Sequence, residues 1–252
     1  MTPSPRGRGL IAGCGRPQPV DSGVLADALR LVAEGLFPAR CIGCGVRGTA
    51  LCTRCRGQLP YLPVGVCPRC AGSRGPRGVC SGCRRLSPAL SVVRAPFAYQ
   101  GAARTAVLTL KFKSGRYLAP LMGELLRAEI KRRLMQADVV VPVPLAAGRL
   151  RERGFNQALV LASEVAVAVH GEIAATALSR AERAAQQTLS GAERLVNLHG
   201  AVTCPSPAEI KGRRVLLVDD VVTTGATLSA CADALADAGA RRISGLAFAR
   251  DL

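Results

Sequence analysis

Two groups of residues in this 252-residue chain have the types and spacing that chemistry requires. The first is eight cysteines in four C-x-x-C pairs: Cys41/Cys44, Cys52/Cys55, Cys67/Cys70 and Cys80/Cys83. A two-residue spacer makes a tight knuckle that aims both sulfurs at one point, so two knuckles complete a tetrahedral thiolate site for Zn²⁺. Sequential pairing puts one structural zinc within 41–55 and a second within 67–83; the spacing also permits the first knuckle to pair with the third. A secreted disulfide module would need an export signal. A thioredoxin-like pair would need one C-x-x-C beside a βαβ pattern, so zinc is the expected ligand.

The second group is Val215–Thr227, VLLVDDVVTTGAT. Four apolar residues, Val215–Val218, make a strand buried on both faces, and it is expected to end in the adjacent carboxylates Asp219 and Asp220. Ligands of open α/β sheets bind at such carboxyl ends. The following turn, Thr223, Thr224, Gly225, Ala226 and Thr227, offers hydroxyl donors, a glycine able to take positive φ, and the free N–H groups of a helix start. That set suits a phosphate monoester. A P-loop would place a Lys at the helix start, and a dinucleotide fold puts its glycine loop ahead of the acidic residue; here the order is reversed. Carboxylates beside a phosphate loop suit a sugar phosphate, because they accept from ribose hydroxyls.

The elements that must hold these groups follow from periodicity. Val24–Phe37 recurs at three and four and stops at Pro38, which predicts a short amphipathic helix. Strands are expected at Ser91–Tyr99, Asp138–Val143, Ile173–Ala177, Arg214–Val218 and Ile243–Ala249. Helices are expected at Ala102–Lys111, Leu118–Leu134, Asn156–Val169 and Ala226–Ala238, with a polar stretch over Ser179–Asn197. Strands alternating with helices imply a parallel α/β sheet covered on both faces. Three parts are expected: a flexible basic tail at 1–23, a helix plus two zinc knuckle pairs at 24–90, and an α/β domain at 91–252.

Composition bounds the function. Hydrophobic residues are 49% and charged residues 20%, and no apolar run reaches the ~20 residues of a membrane span, so a globular chain outside the membrane is expected. The apolar stretch before Cys14 is too short for an export signal, so the expected location is cytoplasmic. The formal charge of +17 is concentrated early. Arg40–Arg94 holds ten arginines and no carboxylate, a footprint suited to nucleic-acid phosphates. Aromatic residues are 3% overall, which leaves few platforms for base stacking.

Residues 215–227 resemble the phosphoribosyl-pyrophosphate motif of type I phosphoribosyltransferases. Leu110-Lys111-Phe112-Lys113, Val141-Pro142-Val143-Pro144, Arg151-x-Arg153-Gly154-Phe155-Asn156-Gln157, then Gln187, Arg194 and Asn197 precede that motif. Together with the N-terminal knuckles they resemble the ComF/GntX family over residues 30–252. The resemblance implies a type I phosphoribosyltransferase-like parallel sheet flanked by helices, behind a small zinc-ribbon module with tetracysteine sites. It implies Mg²⁺-dependent binding of phosphoribosyl pyrophosphate, with Val218, Asp219 and Asp220 at the ribose and Thr223–Thr227 at the 5′-phosphate. Phosphoribose would then pass to a base or nucleotide. Lys111 and the turn after Pro144, with Arg149, Arg151 or Arg153, would serve the pyrophosphate; Arg183, Gln187 and Arg194 fall at a mobile loop. The family's association is with DNA uptake in competence, which implies single-stranded DNA and uptake helicases or processing proteins as partners and admits a homodimer. The alternative is a zinc-containing, single-stranded-DNA-binding accessory protein whose phosphoribosyltransferase-like domain senses nucleotides without turnover.

Overall fold

The computed structural model describes residues 39–75, 80, 82–181 and 202–252. The expected Val24–Phe37 helix, and Arg183, Gln187 and Arg194, lie outside them. Six strands form one parallel sheet: β1 (Leu90–Arg94), β2 (Phe97–Ala98), β3 (Val139–Pro142), β4 (Glu172–Ile173), β7 (Arg214–Val222) and β8 (Arg242–Arg250). The order is β1-β8-β7-β3-β4, with β2 also on β8. A separate two-stranded antiparallel ribbon joins β5 (Ser179–Arg180), at the start of the expected polar stretch, to β6 (Val202–Thr203), beyond its end.

Period-two alternation splits the central strands between two cores. Val140, Leu216, Val218, Leu246 and Phe248 face helices α2 (Gly101–Leu110), α3 (Ala119–Arg133) and α5 (Gln157–Val169). Val139, Val141, Val215, Leu217, Ile243 and Ala247 face α6 (Ala226–Asp237). The cysteine module has no core of its own and divides between these two. Cys41, Ile42, Leu51, Cys55 and Leu59 join the first, with the one-turn helix α1 (Thr53–Arg56) among them. Cys67, Cys70 and Leu86 join the second.

Three expected strands change. Ser91–Tyr99 breaks into β1 and β2 at Ala95-Pro96, because a proline has no N–H to give a ladder. Ile173–Ala177 shrinks to β4 at the sheet edge, where only β3 supports it. The strand expected to stop at Val218 runs on to Val222, because β8 keeps pairing with it as far as Val222↔Arg250. Asp219 and Asp220 therefore lie within β7 and not beyond its end.

Candidate functional site

β3 leaves the sheet before β7 does. Its last ladder bond is Val143 N–H donating to Val218 O at 2.9 Å, and Pro144 follows with nothing to donate. From Asp219 onward one edge of β7 is thus unpaired, and the crevice opens beside the two carboxylates. They diverge by the strand's alternation. Asp220 is 6% exposed and on the α2 side, where Lys111, the residue after α2, brings its Nζ to 3.4 Å from Oδ2. That oxygen is buried and makes no hydrogen bond. Asp219 takes the α6 side; its Oδ1 accepts from the Asp220 N–H at 2.8 Å. Burial first, then the Asp220 charge, pushes the Asp219 carboxyl well above the usual carboxylate range, and Lys111 opposes this.

After Val222 the chain turns through Thr223–Gly225 into α6. Gly225 caps that helix at φ +83°, a conformation in which an L side chain is strained. The turn encloses a recess of about 30 Å³ lined by Asp219 and Val221–Leu228. The Thr224 hydroxyl accepts from Ala226 N–H at 3.3 Å. The side chain of Arg250, buried at the end of β8, donates through Nη1 to Thr223 O. Arg250 escaped the sequence reading; its only signal there is a charge closing the apolar run of Ile243–Ala249.

The other expected residues scatter more widely. Pro144 is buried, and the arginines after it sit on a short helix, α4 (Ala147–Arg153). Arg149 and Arg151 are exposed, whereas Arg153 donates to Gln157 Oε1 at 3.0 Å. Asn156 caps α5 by accepting from Ala158 N–H at 2.9 Å and ties that cap to the crevice by donating to Val143 O at 3.0 Å. A groove of about 1090 Å³ adjoins Pro144, lined also by Arg116, Phe155 and Arg180; it includes none of residues 215–228.

The cysteines gather in two sets, Cys41/Cys44/Cys52/Cys55 and Cys67/Cys70/Cys80/Cys83, each with its sulfurs within 4.8 Å of one another. Sequential pairing is the arrangement found. Measured S···S separations of 3.8 Å (Cys44–Cys52) and 3.3 Å (Cys67–Cys83, Cys70–Cys80) approach the about 3.8 Å edge of a tetrahedron with ~2.3 Å Zn–S bonds. In each set burial pushes thiols up while hydrogen bonds single one out. At Cys41 burial is outweighed by N–H groups of Cys44, Cys52 and Gly43, giving about 6, and Cys67 likewise falls to about 6. Cys55 is pushed up to about 12, first by its bond with Cys52.

Comparison with known proteins finds two domain families along this chain. The phosphoribosyl transferase domain family matches residues 154–250, and the double zinc ribbon domain family matches residues 32–86. The DNA utilization protein YhgH of Escherichia coli (strain K12) is 30% identical over 223 residues, covering 80% of this chain and 97% of that protein. The chain belongs to the ComF/GntX family. Competence protein F of Haemophilus influenzae is 26% identical, covering 85% and 98% of the two chains. Competence protein ComFC of Bacillus subtilis is 28% identical, covering 75% and 79%. This ComF/GntX chain therefore couples a phosphoribosyltransferase-like sheet to a double zinc ribbon whose two cysteine quartets suit structural Zn²⁺. Among its described residues no helix is long and apolar enough to cross a membrane.

Proposed function

We propose that this chain binds phosphoribosyl pyrophosphate with Mg²⁺ at the β7 crevice and transfers phosphoribose to a base or nucleotide, in the handling of DNA taken up by cells. The observation that carries the proposal is the pair Asp219/Asp220 on the unpaired edge of β7, followed directly by a turn whose glycine has φ +83° at a helix start. The buried Asp220 Oδ2, in an ion pair with Lys111 but without a hydrogen bond, keeps acceptor capacity that a ribose hydroxyl can use. Thr223–Thr227 take the 5′-phosphate through hydroxyls and helix-start N–H groups. The crevice carboxylates and the ribose and pyrophosphate oxygens of the substrate would offer oxygen donors of the kind Mg²⁺ prefers, and the ion, when bound, would supply charge neutralisation of the leaving group. Lys111, already beside Asp220, adds a cation at the same end. Calorimetry of the wild type with phosphoribosyl pyrophosphate and Mg²⁺ should give saturable binding that Asp219→Ala/Asp220→Ala abolishes; no binding by the wild type defeats the proposal.

A second reading, that of a single-stranded-DNA-binding accessory protein with a nucleotide-sensing domain, is favoured by one feature. A cleft of about 490 Å³ at the amino-terminal end of β7 and β8 is lined by Arg94, Arg133, Arg214, Arg241 and Arg242. Asp138 engages Arg214 and Glu129 engages Arg133, which leaves net positive charge toward solvent. The relatives named for competence and DNA utilization agree with either reading. Oligonucleotide affinity should fall with salt, and each arginine removed should reduce the log–log slope by about 0.7. A salt-independent signal rejects it.

A further inference from the structure

The two cysteine quartets sit in different cores, and only one of them reaches the phosphate loop. The first packs beneath α2 and α3, where Arg56 pairs with Glu124 at 2.8 Å, on the face of the sheet away from α6. The second reaches the loop and the helix that follows it. Leu86, three residues after Cys83, lies where a Cβ on Gly225 would meet its Cδ2 at 2.4 Å. Ser87 N–H donates to Ser229 Oγ at 3.0 Å, and the Ser87 hydroxyl donates to Asp233, both on α6. Arg250 donates to Thr223 O.

Arg250 also lies beside the sulfurs. A Cβ added to Gly72 would meet Arg250 Nη2 at 3.0 Å and Cys70 Sγ at 3.4 Å. One added to Gly82 would meet Cys70 Sγ at 3.4 Å, Cys80 Sγ at 3.6 Å and Nη2 at 3.8 Å. Two glycines thus keep open a notch that guanidinium and thiols share. The guanidinium is buried, its Nε has no hydrogen-bond partner, and no carboxylate among the described residues forms an ion pair with it. A buried charge needs a counter-charge. Four thiolates around Zn²⁺ carry a net charge of −2, and thiolate sulfurs accept hydrogen bonds.

Resting on the phosphoribosyl reading of the loop, we infer that Arg250 is a positioning residue linking the second cysteine quartet to Thr223, so that zinc at Cys67/Cys70/Cys80/Cys83 sets the affinity of the loop for a phosphate monoester and zinc at the first quartet does not. With the second quartet loaded, the guanidinium is held by the thiolates and its Nη1 fixes the Thr223 carbonyl, which aims the N–H groups of Gly225–Thr227 into the recess. With that zinc gone the arginine loses its counter-charge and the loop loses one of its anchors.

The test uses the full chain, with zinc counted by mass spectrometry, ribose 5-phosphate binding by calorimetry, and amide hydrogen exchange over 224–228. Cys80→Ser should lose one zinc and weaken ribose 5-phosphate about tenfold, within the range of ordinary site coupling. Arg250→Gln should keep both zincs yet show a similar loss, and Arg250→Lys should recover part of it. Cys44→Ser should lose one zinc and stay within about twofold of wild type. Exchange over 224–228 should quicken in Cys80→Ser and Arg250→Gln only. Wild-type affinity and exchange in Arg250→Gln, or equal losses in Cys44→Ser and Cys80→Ser, overturn the inference; if Cys80→Ser does not fold, Arg250→Gln decides alone. A wild type that binds no ribose 5-phosphate defeats the phosphoribosyl reading instead, and hydrogen exchange still judges the coupling.

Discussion

Replacing Gly225 by alanine probes the loop and the zinc ribbon together. At φ +83° an L residue is strained, by roughly 1 kcal/mol for the left-handed conformation. The new Cβ would lie 2.4 Å from Leu86 Cδ2, and pushing that buried side chain aside adds roughly 1–3 kcal/mol of overpacking. Gly225→Ala should therefore lower the stability of the zinc-loaded chain by roughly 2–4 kcal/mol in urea unfolding. Leu86→Ala alone removes a buried side chain and should cost roughly 2–4 kcal/mol. In the double variant the alanine methyl enters the space that Leu86 vacated, so the losses should fall short of their sum by roughly 1–2 kcal/mol. A Gly225→Ala protein within about 0.5 kcal/mol of wild type, or a cycle additive to about 0.5 kcal/mol, would refute the close approach of ribbon and loop.

Three further outcomes are expected. Because Asp219 holds its proton more tightly folded than unfolded, stability is full below the ordinary carboxylate range and declines as pH rises through the raised value. Asp219→Asn should thus be more stable than wild type at pH 8, with the gap closing toward pH 4 in urea midpoints, while ligand binding is lost. Zinc needs all four thiolates, so loading the metal-free chain at pH 7 should release protons, and metal analysis should give two zincs per chain that are lost on acidification as protons compete for the sulfurs. Asn156→Ala removes both the α5 cap and the bond to Val143 O and should cost roughly 1–2 kcal/mol in thermal or urea unfolding.

Much of the sheet was legible because buried strands and amphipathic helices write their periods into the chain: β3, β8, α5 and α6 lie within a residue or two of their expected limits. Where expectations failed, the deciding partner was remote. β7 passes Val218 because β8 continues beside it, although two carboxylates in a row look like a strand end. The β5/β6 ribbon joins residues 179–180 to 202–203, and neither short segment carries a strand pattern of its own.

For the chemistry, C-x-x-C spacing and the order of acids, threonines and glycine depend on neighbours a few residues apart, and local backbone geometry is enough to read a metal knuckle or a phosphate turn from them. Sequence could not choose between sequential and interleaved knuckles, since either closes a tetrahedron; the tertiary structure pairs them in sequence. It also could not tell that the two ribbons settle in separate cores, or that Arg250 crosses from the end of β8 to a carbonyl of the Thr223–Gly225 turn. Arg250 meets Thr223 across 27 positions, the ribbon meets Gly225 and Ser229 across more than a hundred, and only the stacking of ribbon, strand and helix brings these residues together.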